Sequence, residues 1–133
     1  MDYPTFLLAI DLWREARNQS HGVKVAKAWV VKNRVAHSGW WGATVVEVIT
    51  HKWQFTGMTG IGDPNLVKWP QENDPQWADS LAASQEALGS SGPDLTLGAT
   101  YYYDHPLTEP PEEWGHVVET TQIGSTHFYK EGE

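Results

Sequence analysis

The chain contains no cysteine. That excludes a disulfide scaffold, a thiolate metal site and a cysteine nucleophile together. Positive charge is scarce: 9 Lys and Arg stand against 17 Asp and Glu, for a formal net charge of −8 and a pI near 5.1. So acidic a surface repels phosphate backbones, and no local basic cluster offsets it, so nucleic acid is not an expected partner. Long apolar runs are missing as well. Nothing approaches the roughly 18 residues of a membrane span, so stable membrane insertion is not expected. The short apolar run over 6–10 ends at Asp11 and has no basic start, which predicts synthesis in the cytoplasm without a signal peptide. HExxH, the P-loop, the dinucleotide glycine fingerprint and the GxSxG elbow are absent. No cofactor and no metal are expected.

What is present describes a globular enzyme-sized domain. A chain of 133 residues fits one domain, and residues 1–133 are read as one. At this size it buries roughly two thirds of its unfolded surface and needs no metal to fold. Hydrophobic residues at 40% and charged residues at 20% exclude disorder. Eight tryptophans and five tyrosines are many for this length. Most are expected in the core, yet several lie in Gly/Pro-rich segments, where exposed rings can serve as platforms for saccharides.

The first half reads as helical. Pro4 and Thr5 lead into a helix ending near Arg17, with Phe6, Ala9, Ile10, Trp13 and Ala16 on one face. Leu8 and Leu12 extend that face, whereas Leu7, Asp11 and Arg14 fall on its other side. Glu15 lies on the seam. A second helix is predicted over 23–37, stopped by Gly39, and a third starts from a Thr44/Glu47 capping box. The stretch 52–73 is irregular and rich in Gly and Pro, a length of loop that is usually functional. A fourth helix opens at Asp74-Pro75, presents Ala78, Leu81, Ala82 and Leu88, and closes at Gly89. Strand-like runs occupy 97–103 and 119–129, around a Pro/Glu-rich loop over 106–114. The architecture is α+β, mainly helical, with a small C-terminal β element.

Glu15 is the residue whose setting suggests chemistry. It borders Leu8, Leu12 and Trp13, and apolar contact penalises an ionised carboxyl. Asp11, one turn earlier, adds a like charge that acts in the same direction. A carboxyl that stays protonated near neutral pH can protonate a leaving-group oxygen, as glycosidase acids do. Among the 6 histidines, His105, His116 and His127 could meet on a zinc ion, which would make a wall amidase the alternative.

A wider pattern stands around this acid. Glu15-Ala16-Arg17 is followed by Gly22 and by a small, Val-rich helix ending Asn33-Arg34-Val35. Then come Gln54-Phe55-Thr56, Gly98-Ala99 with Tyr101-Tyr102-Tyr103, Trp114, Ile123-Gly124 and His127-Phe128-Tyr129. In this order and over nearly the whole chain, the pattern resembles the cell-wall hydrolase family of the spore-cortex-lytic enzymes, also found in phage lysins. The resemblance implies a lysozyme-like (lytic-transglycosylase-like) single domain whose one catalytic acid is Glu15. It implies cleavage of peptidoglycan glycan strands between N-acetylmuramic acid and N-acetylglucosamine, leaving an anhydro end. Gln54, Phe55, Thr56, Tyr101, Tyr102 and Tyr103 are the expected substrate-binding residues, one tyrosine face lining the cleft and the other the core. Arg17 and Arg34 are expected to be structural. The family usually has Gly then Glu after Glu-Ala-Arg, where this chain has Asn18 and Gln19, so that second acid is taken as dispensable.

Two other readings stay open at this point. A muramidase would need a second carboxylate, for which Asp63 and Asp104 are the candidates. A non-catalytic wall-binding or virion module would keep the fold alone. The expected form is a monomeric phage endolysin acting on the bacterial wall.

Overall fold

The computed structural model describes residues 1–37, 39–51, 68–89, 93–104 and 110–132. Asp2 opens α1 (Tyr3–Ala16) by accepting the Thr5 N–H at 3.0 Å, with Pro4 in the first turn, where a missing donor costs nothing. Ser20 caps α2 (His21–Ala36) through the Val23 N–H, and Thr44 caps α3 (Val45–Thr50) through the Glu47 N–H. The Glu47 carboxylate returns to the Ala43 N–H, so the predicted box closes one residue early. Asp74 precedes α4 (Pro75–Gly89) and accepts the Gln76 N–H.

Strands β1 (Tyr101–Tyr103), β2 (Val117–Ile123) and β3 (Thr126–Glu131) form an antiparallel sheet in the order β1-β3-β2. Gly124, at φ 61°, makes the tight β2–β3 turn. The first strand is shorter than the sequence suggests. Asp94 accepts from the Thr96 N–H, the Thr96 hydroxyl, the Gly98 N–H and the Asn33 amide, which winds residues 94–98 into a loop. Leu97 sits there at φ 58°. Local side-chain bonding has overridden strand propensity.

The largest departure from expectation is α1. A two-sided helix was predicted, yet every residue from 7 to 14 is buried, including Asp11 and Arg14. The reason is that α2, α3 and α4 all pack on α1, so no side of it is left to solvent along that stretch. Phe6, assigned to the apolar face, is partly exposed and meets Trp77 edge-on at 5.7 Å. α4 is likewise rotated from its predicted face. It buries the small residues Ser80, Ala83, Ser84 and Ala87, while Ala78 and Ala82 face water. Small side chains let α4 approach closely, and Ser84 donates to the Thr5 carbonyl of α1 at 2.8 Å.

Ala83 is fully buried in this close contact. Ala83→Leu should therefore cost about 1–3 kcal/mol through overpacking. Urea denaturation should show a lower midpoint at an unchanged slope.

Candidate active site

Glu15 occupies the last turn of α1, where the helix leaves the core. It is half-buried and lines an open recess of about 230 Å³ together with Arg14, Ala16, Arg17, Asn18 and Gln19. Asp11 lies one turn beneath it with 1% of its surface exposed, and its Oδ1 has no hydrogen-bond partner among the described residues. Burial first, and then the charge of Glu15, push the Asp11 carboxyl well above its ordinary range. Lys27, Arg14 and Arg34 act against that shift without offsetting it.

β1 brings one tyrosine to this cluster. Tyr102 packs against Phe128 at 6.3 Å and takes the Lys27 ammonium over its ring at 4.7 Å. Burial, with the charges of Asp11, Glu15 and Asp104, drives its hydroxyl well above the ordinary phenol value, so Tyr102 is a neutral donor. Tyr101 and Tyr103 leave from the other face and pack on Trp114, at 4.8 and 6.2 Å. Tyr101 also meets Trp41 and the Arg34 guanidinium. Arg34 donates to the Thr100 carbonyl at 2.7 Å, and Arg17 donates to the Trp13 carbonyl while lying over the Trp13 ring at 4.6 Å. Both arginines hold structure, as expected.

Asp104 is more than a turn carboxylate. Lys27, buried in α2, donates to it at 2.8 Å and to Gln19 Oε1 at 2.6 Å. The Gln19 amide donates to Asp104 at 3.2 Å, and the Thr126 hydroxyl donates to Asp104 at 2.7 Å. Burial alone would raise the Asp104 carboxyl, but these bonds and the Lys27 charge win and hold it below its ordinary range. Two acids on either side of one lysine are thus driven in opposite directions.

Gln54, Phe55 and Thr56, with Asp63 and His105, lie outside the described residues. His127 is paired with Glu119 at 2.6 Å, and the described residues hold no group of three His, Cys, Asp or Glu placed for a metal. Trp69 was not singled out by sequence. It is 61% exposed and backed by the Arg14 guanidinium at 4.6 Å, which puts a free indole face beside the recess. Its place in the long irregular stretch was the available signal.

The fold is that of a wall-degrading enzyme class. A family model described as cell wall hydrolase matches residues 18–129, and the chain belongs to that family. The catalytic domain of the germination-specific lytic transglycosylase SleB from Bacillus anthracis is similar at 26% identity, with a TM-score of 0.72. The match covers 96% of this chain and 93% of that one. The catalytic domain of the Bacillus cereus SleB protein is similar at 27% identity and a TM-score of 0.71, over 96% and 89%. The lysozyme-like α+β architecture expected from sequence therefore holds. No curated protein sequence matches the chain.

The Lys27–Asp104 pair carries a pH signature. A carboxyl held below its unfolded value adds stability above about pH 4 and loses it as pH falls through the folded value. Asp104→Asn leaves a buried ammonium without its counter-charge and should cost about 2 kcal/mol at neutral pH, less than a fully buried pair because a third of Asp104 is exposed. Urea melts across a pH series should show the gap to the native chain closing on the acid side of pH 4.

Proposed function

We propose that residues 1–133 form a catalytic domain that cleaves peptidoglycan glycan strands between N-acetylmuramic acid and N-acetylglucosamine as a lytic transglycosylase, with Glu15 as its acid and base. The observation that carries this is the likeness to a SleB catalytic domain, described as a lytic transglycosylase, over 93% of that domain. The site agrees with it in chemistry. Glu15 stands at the lip of an open recess, a place a polymer can reach.

In this mechanism Glu15 protonates the glycosidic oxygen as the bond to the anomeric carbon breaks. The resulting carboxylate then takes the proton of the muramic acid 6-hydroxyl, whose oxygen closes onto that carbon. The proton returns to Glu15 and no water is consumed. One carboxyl suffices for both steps. A hydrolysing muramidase would need a second, free carboxylate as base, and Asp104 is poorly suited because Lys27, Gln19 and Thr126 all donate to it. Tyr102 supplies a neutral phenol on the Glu15 side, and Trp69 a platform for a sugar ring.

Glu15→Gln keeps size and hydrogen bonding but cannot donate the proton, so turnover of purified peptidoglycan should fall by about two to four orders of magnitude with folding intact. Retention of most activity would end the assignment. Mass spectrometry of the native digest should show anhydro-muropeptides, one water lighter than hydrolysed ones, and a digest of reducing ends alone would favour the muramidase. Trp69→Ala should raise KM for glycan several-fold, about 1 kcal/mol, with a smaller change in kcat.

A further inference from the structure

We propose that Asp11 is the second carboxyl of this site, a positioning residue buried one turn beneath Glu15 that shares one proton with it and keeps Glu15 supplied for the glycosidic oxygen. The inference rests on the reading of Glu15 as the acid and base.

The first support is an orphaned atom. Asp11 is 1% exposed, and its Oδ1 has no hydrogen-bond partner among the described residues. An unpartnered buried polar group costs stability, and an unpartnered buried charge costs far more, so the group sits there as a neutral acid. The second support is helical geometry. Residues four apart share a face with their Cβ atoms roughly 5–6 Å apart, so Asp11 and Glu15 are side-by-side carboxyls.

The groups facing Asp11 fit this reading. From α1 these are Glu15 and Arg14, from α2 Lys27 and Arg34, and from β1 Tyr102. Each cation is committed elsewhere: Lys27 to Asp104 and Gln19, Arg34 to the Thr100 carbonyl, Arg14 to the Lys68 carbonyl and Trp69. They soften a negative charge at Asp11 without pairing it. Two adjacent carboxyls give up their protons in two separated steps, and the pair keeps the second proton to a higher pH than either would alone. A glycan seated over Glu15 strips it of water as burial already does for Asp11, which draws the shared proton to Glu15. That transfer leaves Asp11 ionised, among the three cations that face it.

Two measurements test the pair. In the first, kcat/KM on purified peptidoglycan is followed against pH for the native chain and for Asp11→Asn and Asp11→Leu. Without a partner Glu15 loses its proton sooner, so the alkaline limb should move down by about one pH unit or more in both variants. A merely structural Asp11 would lower the rate and leave the limb in place. In the second, carboxyl carbon shifts are titrated by NMR without substrate. Asp11 should titrate above the ordinary carboxyl range, and Glu15→Gln should lower its midpoint by removing the neighbouring charge. Independent midpoints, or an unmoved alkaline limb in a folded variant, overturn the proposal. Coupled midpoints in a protein that does not cut peptidoglycan would overturn the functional reading and leave the carboxyl pair standing.

Discussion

The burial of α1 along most of its length is the constraint on which the rest of the molecule depends. Three helices close around it, so residues that a two-sided helix would show to water are carried inside. Arg14 meets that demand with the Lys68 carbonyl and the face of Trp69. At Asp11 it pushes the carboxyl well above its ordinary range. The helix emerges only in its last turn, where Arg14 and Glu15 reach the recess. The acid is thus placed by the boundary of the core, with a hydrophobic shaft of Leu7, Leu8 and Leu12 holding the helix in position.

α2 supplies the cations that complete this interior. Lys24 and Lys27 are both buried, and each ends on a carboxylate from a distant element: Asp79 of α4 and Asp104 after β1. These pairs fix α4 and the sheet relative to α2, which makes them positional devices more than sources of net stability. They also give a reason for Gln19, where the family usually has an acid. Lys27 is one positive charge already matched by Asp104. An amide accepts from Lys27 and donates to Asp104, whereas a carboxylate at this position would face Asp104 as a like charge. The departure from the motif is consistent with the charge balance around it.

Local chemistry made much of the fold legible. The helix starts at Thr44 and Asp74 are legible because each side chain accepts a backbone N–H a few residues on, whereas the caps at Asp2 and Ser20 emerge only in the structure. What sequence could not show is how many neighbours a helix would acquire. Amphipathic reasoning assumes one wet side, which α1 lacks, and it favours large apolar residues, whereas α4 packs through Ala and Ser. The same limit applies to the site. Glu15 was visible through its motif and its apolar border. Asp11 was seen only as a nearby charge, because its burial is a tertiary fact. Trp69 acquires meaning only when Arg14, 55 positions earlier in the chain, arrives behind its ring.

Lys27 then gives the cluster its chemical sense. Asp104 accepts hydrogen bonds and is held below its ordinary range, whereas Asp11 accepts none at Oδ1 among the described residues and is pushed well above it. Carboxyls driven apart by their surroundings are the usual basis for dividing acid and base duties at one site. Here the member held low is tied into the scaffold by Lys27, Gln19 and Thr126. The member pushed up lies one turn beneath Glu15, which lines the recess. Under the proposed reading, this arrangement keeps a proton close to Glu15 for attack by the substrate's own hydroxyl.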